Sequence, residues 1–202
     1  MKPMEIEQAS MAIIERELQV ALDPEIKPIV KRVIHATADF SFAESMVFTP
    51  GVVPYARELL ARGAMIVTDT QMAKAGINKT ILASLGGEVH CFMSDPDVAQ
   101  EAKSRGVTRA FVSMEKAAAL EKPCIFAIGN APTALLSLEQ LMEEGKAAPA
   151  LIIGVPVGFV NVVESKEVLF AACTRCGVPA IAAMGRKGGS NVAAAICNAL
   201  IY

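Results

Sequence analysis

His35 lies in Arg32-Val33-Ile34-His35-Ala36-Thr37-Ala38-Asp39 and is one of only two histidines in the chain. Imidazole is the side chain suited to giving and taking protons near neutral pH, so a proton-transfer reaction has few other places to run. On a helix advancing about 100° per residue, Ile26, Ile29, Val30, Val33, Ile34 and Thr37 gather on one side, and His35 points roughly opposite. Arg32 and Asp39 flank it. The ring therefore faces either water or a ligand, and periodicity leaves both open.

Four other stretches combine glycines, small hydroxyls and amides. They are Thr68-Asp69-Thr70-Gln71-Met72, Gly129-Asn130-Ala131-Pro132-Thr133-Ala134, Gly154-Val155-Pro156-Val157-Gly158-Phe159 and Gly185-Arg186-Lys187-Gly188-Gly189-Ser190. Glycine lets backbone approach a ligand closely, and N–H groups at the start of a following helix favour negative charge. The set suits an anion. A nucleotide-dependent transferase is one reading, yet residues 185–190 are not G-x-x-x-x-G-K-[ST], and no G-x-G-x-x-G follows the first strand.

Arg186 and Lys187, set between glycines, are candidate ligand cations, and Arg109, after Thr108, reads as another loop arginine. Glu164-Ser165-Lys166 opens a helix, where an acidic first turn suits the helix dipole. His90, inside an apolar run, reads as a core histidine. Cys173-Thr174-Arg175-Cys176 has redox or metal spacing, but no second pair and no nearby histidine accompany it, so no metal site is assigned. Cys91, Cys124 and Cys197 read as small core residues.

Elements able to position these residues can be read from the pattern of apolar runs. Residues 64–67, 88–93, 124–128, 151–155 and 180–184 are nearly continuous apolar runs, and most are followed by a segment of helical composition. Helices are predicted near 77–85, 95–104, 113–120, 131–144, 164–176 and 190–201. The pattern predicts an α/β fold: a three-layer α/β/α arrangement with a mostly parallel central sheet and extra N-terminal helices. Of those N-terminal helices, the first carries Ile6, Ser10, Ile13, Ile14 and Leu18 on one face. The second starts with Asp23 as N-cap and Pro24 in its first turn, and a third spans 51–62 before Gly63. In open parallel sheets ligands bind beyond the carboxyl ends of the strands, where the four loops fall.

A chain of 202 residues, 53% apolar, can bury a substantial core, and it reads as a single domain over 1–202. A net charge of −2 gives no general electrostatic reason to bind nucleic acid. The longest uncharged stretch, 147–163, is shorter than the ~20 residues of a membrane helix and is broken by Pro149, Gly154, Pro156 and Gly158, so no membrane partner is expected. The opening residues lack the pattern of a secretory signal, and a cytoplasmic location is expected.

Together these stretches, in this order, resemble the precorrin-8X methylmutase family, also called cobalt-precorrin-8 methylmutase or precorrin isomerase, over almost the whole chain. The resemblance implies an isomerase of cobalamin biosynthesis that moves a methyl group from carbon 11 to carbon 12 of ring C of a corrinoid. The shift is formally a [1,5]-sigmatropic one and needs no redox cofactor. Its substrate, precorrin-8X or cobalt-precorrin-8, is an apolar macrocycle edged by carboxylates. The catalytic histidine of the family maps onto His35, as general acid. Ser10, Thr68, Thr70, Met72 and Arg109 fall in substrate-contacting stretches. We add Arg32, Arg186, Lys187 and Ser190 as candidate substrate-binding residues. The resemblance also implies a homodimer or larger homo-oligomer. A corrinoid-binding module without turnover is the alternative closest to it.

Overall fold

Met65–Thr68 (β2), Cys124–Ile128 (β4), Leu151–Gly154 (β5) and Ala180–Ala183 (β6) are buried along their whole length, as strands covered on both faces must be. In the computed structural model, which describes residues 3–202, they join Met46–Phe48 (β1) and Val89–His90 (β3) in a sheet of order β1-β6-β5-β4-β2-β3. Met1 and Lys2, the start of the segment compared with a secretory signal, lie outside the described residues. All neighbouring strands are parallel except β1, which runs antiparallel to β6 with Met46 opposite Ala183.

Side chains alternate between the faces of the sheet with the strand period of two. Ile66, Ile125, Ile153 and Ile181 pack toward Lys27–Thr37 (α2), Val52–Ala61 (α4), Gln71–Gly76 (α5) and Ser190–Ile201 (α11). Val67, Phe126, Ile152 and Ala180 pack toward Arg109–Ala118 (α8), Pro132–Glu143 (α9) and Val162–Cys176 (α10). Pro3–Glu17 (α1) and Lys79–Ser84 (α6) add Ile14 and Leu82 to the first of these cores, Pro96–Arg105 (α7) packs on α8, and Phe42–Ser45 (α3) is a single turn leading into β1. The α/β/α reading therefore holds.

Several expectations are corrected. Helix α2 begins at Lys27, so Asp23 is not its N-cap; its carboxylate accepts the Glu25 N–H (2.8 Å) in a turn that precedes the helix. On α1, Ile14 is buried but Ile6 and Ile13 stay 52% and 45% exposed, because α1 packs chiefly along α2 and buries only part of its apolar face. The helix predicted near 77–85 is Lys79–Ser84 (α6), capped by Asn78, whereas the short helix before it, α5, was not expected. Arg109 is not in a loop; it is the first residue of α8, whose N-cap Thr108 accepts the Phe111 N–H. His90 is no core residue. It sits on a two-residue edge strand, 3.1 Å from the Glu88 carboxylate and stacked on Phe92. Neither α3 nor β1 was expected; a strand of three residues exists only because β6 offers it an edge.

Candidate active site

The order of strands reverses at β2, which has β3 on one side and β4 on the other, so the loops after β2 and β4 diverge there. Asp69 closes that gap. Fully buried, it accepts N–H bonds from Gly129 (2.8 Å), Asn130 (2.8 Å) and Ala131 (2.6 Å). Burial raises its carboxyl above the ordinary carboxylate range, while the N–H donors pull it down. The backbone donors that the sequence offered to an anionic ligand are therefore already filled by the protein's own carboxylate.

Further ties bind the remaining loops into one rim. Thr68, fully buried, donates its hydroxyl to the Thr70 carbonyl (3.0 Å), and the Thr70 hydroxyl meets that of Ser190 (2.8 Å). The Gly189 N–H donates to Val155 (2.9 Å) and the Gly158 N–H to Arg186 (3.2 Å). A Cβ at Gly188 would lie 2.1 Å from the Val155 carbonyl oxygen, so only glycine allows this approach. Exposed on the rim are Met72 (71%) and Phe159 (85%), and the Arg186 guanidinium lies 5.8 Å from the Phe159 ring centre.

Lys166, taken from the sequence only as part of a helix start, is buried behind this rim. Its ammonium is buried and donates to the carbonyls of Gly185 and Lys187, both at 2.8 Å. Burial lowers its pKa to about 8. The signal was present: Val162, Ser165, Lys166, Leu169 and Cys173 follow helical spacing, which puts a lysine in the middle of the buried face of α10.

The helix carrying His35 reaches this rim at its C-terminal end. Lys187 donates to Asp39 (2.6 Å) and Ser41 (2.9 Å), just beyond that end. The Ser41 N–H and hydroxyl also donate to Asp39, at 3.0 and 2.7 Å. Ala38, between His35 and this cluster, is held left-handed at φ 54, a conformation that costs a non-glycine residue about 1–2 kcal/mol. His35 itself is exposed on the last turn of α2. A groove of about 730 Å³ opens alongside, lined by Leu18, Val20, Phe40 and Ser41 among others.

Lys187 and its hydrogen-bonded neighbour Ser41 hold the Asp39 carboxyl down at about 2. A carboxylate depressed in the folded state adds stability above its unfolded value of 3.8, and the gain is lost as pH falls from there toward 2. With Asp39 30% and Lys187 57% exposed, water screens the pair, and its contribution is no more than about 1 kcal/mol. Lys187→Met is expected to return the Asp39 pKa toward 3.8, as read by carboxyl-carbon NMR; an unchanged titration would show that the pair does not persist in solution.

The structure thus brings Thr68, Thr70, Arg186, Lys187 and Ser190 together and ties the end of the His35 helix to them. Ser10 and Arg32 sit on the N-terminal helix pair instead: the Ser10 hydroxyl donates to Ile6 (2.9 Å) and Arg32 pairs with Glu7 (2.7 Å). Arg109 stands at the start of α8, next to Thr108, whose hydroxyl donates to Thr133 (2.9 Å) on α9. Cys173 is buried with its thiol pushed up to about 12, Cys176 is exposed, and no metal-binding group of three or more His, Cys, Asp or Glu occurs among the described residues.

Comparison with known proteins agrees with this architecture. The profile of the precorrin-8X methylmutase family matches residues 5–202. A relative from Priestia megaterium, named cobalt-precorrin-8 methylmutase, is 46% identical over 98% of this chain and 87% of its own. One of the same name from Salmonella typhimurium is 47% identical over 86% of this chain and 80% of its own. A precorrin-8X methylmutase from Pseudomonas aeruginosa is 40% identical over 95% and 91%. The crystal structure of precorrin-8x methyl mutase from Thermus thermophilus superposes with a TM-score of 0.87 at 38% identity, covering 97% of this chain and 95% of that one. By profile, sequence and fold, this chain belongs to the precorrin-8X methylmutase family.

Proposed function

We propose that the protein transfers a methyl group within a precorrin-8 macrocycle, from carbon 11 to carbon 12 of ring C, as a step of cobalamin biosynthesis. One carbon–carbon bond breaks as another forms, with no net oxidation or reduction. His35 acts as general acid, giving a proton to or sharing a hydrogen bond with the ring C region, so that the conjugated system is polarised as the methyl migrates. The observation that carries this reading is the tie from Lys187 to Asp39 and Ser41, which joins the end of the His35 helix to the strand-end rim where ligands of parallel sheets bind.

The rim suits the substrate. Met72 and Phe159 offer apolar surface to the macrocycle, while Arg186 and Arg109, both exposed, supply cations for its peripheral carboxylates. Thr70 and Ser190 add hydroxyls. Thr68 contributes by holding the Thr70 carbonyl, and Ser10 and Arg32 reach the ligand from the N-terminal helices by exchanging their present partners. A homodimer is supported by the apolar surface that α1 leaves exposed at Met4, Ile6 and Ile13. A cytoplasmic setting is supported by five unpaired cysteines, and no helix among the described residues is long and apolar enough to cross a membrane.

The higher identity to the two relatives named for cobalt-precorrin-8 supports the cobalt-bearing form as substrate. Visible spectra of the protein mixed with each form of precorrin-8 test this: conversion of the cobalt form is expected, and turnover of the metal-free form alone would reverse it. Binding without conversion of either would leave the protein a corrinoid-binding module.

A further inference from the structure

We infer that Lys166, Lys187 and Asp39 form a positioning chain that fixes the end of helix α2, and with it His35, relative to the substrate-facing rim. The inference rests on the reading of His35 as the acid. Its first link is inside the protein. Lys166 on α10 has its ammonium buried against the carbonyls of Gly185 and Lys187, so the loop between β6 and α11 is gripped from behind at two points on either side of Arg186. A desolvated ammonium bonded to carbonyls strongly resists displacement, because any movement leaves buried polar groups unpaired.

The second link crosses 148 residues of sequence. With its backbone held by Lys166, Lys187 extends its own ammonium to the Asp39 carboxylate and the Ser41 hydroxyl. The third link returns to the catalytic helix: the Asp39 N–H donates to the Thr37 hydroxyl (3.3 Å), which donates to the Val33 carbonyl (2.8 Å) in the last turn. Ala38 is forced into the left-handed region at the junction, a conformation that the surrounding contacts must impose since the residue does not prefer it. His35 lies in the turn so fixed.

On this view Lys187 is a positioning residue rather than a cation for the substrate, and the two roles separate kinetically. Loss of a substrate cation raises KM; loss of positioning lowers kcat. A displacement of about 1 Å at a reacting group can cost about 10²-fold in rate. The test measures kcat and KM for Asp39→Asn, Lys187→Met, their double variant, Lys166→Met and His35→Asn, using the precorrin-8 form that the wild type converts.

Asp39→Asn and Lys187→Met are each expected to lower kcat by about 10–10²-fold with KM within about threefold, and the double variant to be no slower than the slower single one, since both cut the same chain. Lys166→Met is expected to follow the same pattern. If Lys166→Met does not fold, the Asp39 and Lys187 variants, whose side chains are partly exposed, decide alone. Wild-type kcat in those two, losses that multiply in the double variant, or an effect confined to KM overturns the chain while leaving His35 as acid. Wild-type turnover in His35→Asn removes the acid itself, and the chain with it.

Discussion

His35→Asn is expected to lower kcat by about 10²–10⁴-fold while leaving corrinoid binding largely intact. Asparagine keeps a polar group of similar reach but cannot deliver a proton at neutral pH, so the loss isolates acid catalysis from contact. The folded state should hardly notice. His35 is exposed on the face of α2 opposite Ile29, Val30, Val33 and Ile34, all buried, and surface substitutions of this kind usually change stability by no more than about 0.5 kcal/mol. Stopped spectra of single turnovers, together with a titration of the variant by the corrinoid, separate the two effects. A variant that turns over at the wild-type rate would falsify the assignment of His35.

Asp69→Ala carries the largest expected cost to the fold. It removes an acceptor shared by three backbone N–H groups, those of Gly129, Asn130 and Ala131, at the point where the sheet changes direction. The Gly129 N–H is buried and those of Asn130 and Ala131 are partly so, and a fully buried donor left without a partner costs about 1–3 kcal/mol. With partial relaxation and some entry of water, a total of about 3–5 kcal/mol is expected, a large part of the ~5–15 kcal/mol that holds a typical domain together. For a chain of 202 residues this lowers Tm by roughly 6–20 °C. Asp69→Asn retains one acceptor oxygen but turns an NH₂ group toward a donor, and is expected to be destabilised too. Thermal melts in which Asp69→Ala matched the wild type would show that water or a moved loop satisfies those groups, and that the carboxylate does not hold the rim together.

Both predictions concern the same edge of the sheet, and they differ in how far the sequence revealed them. Continuous apolar runs such as Ile125-Phe126-Ala127-Ile128 announce strands covered on both sides, and the loops that follow must then gather at one edge. The buried face of α2 is equally plain, because a period of 3.6 places Ile29, Val30, Val33 and Ile34 together and His35 across from them. The start of α2 was misread for a local reason as well: Asp23-Pro24 carries the signature of a helix start, and the chain uses it for a preceding turn.

Partnerships were a different matter. Residues 129–131 looked like donors waiting for an anion, and the anion proved to be Asp69, 60 residues earlier. Lys187 looked like a cation waiting for a substrate carboxylate, and its partner is Asp39. Lys166, on its helix, looked like an ordinary charge near an acidic first turn, and tertiary packing buried it against two carbonyls. What the sequence by itself determined was the set of elements, the faces they bury and the edge at which chemistry can occur, since these depend on periodicities of a few residues. Which charges remain for a ligand was decided only by the tertiary structure, because a charge is satisfied by whatever lies within about 3 Å in space, and that distance has no relation to separation along the chain.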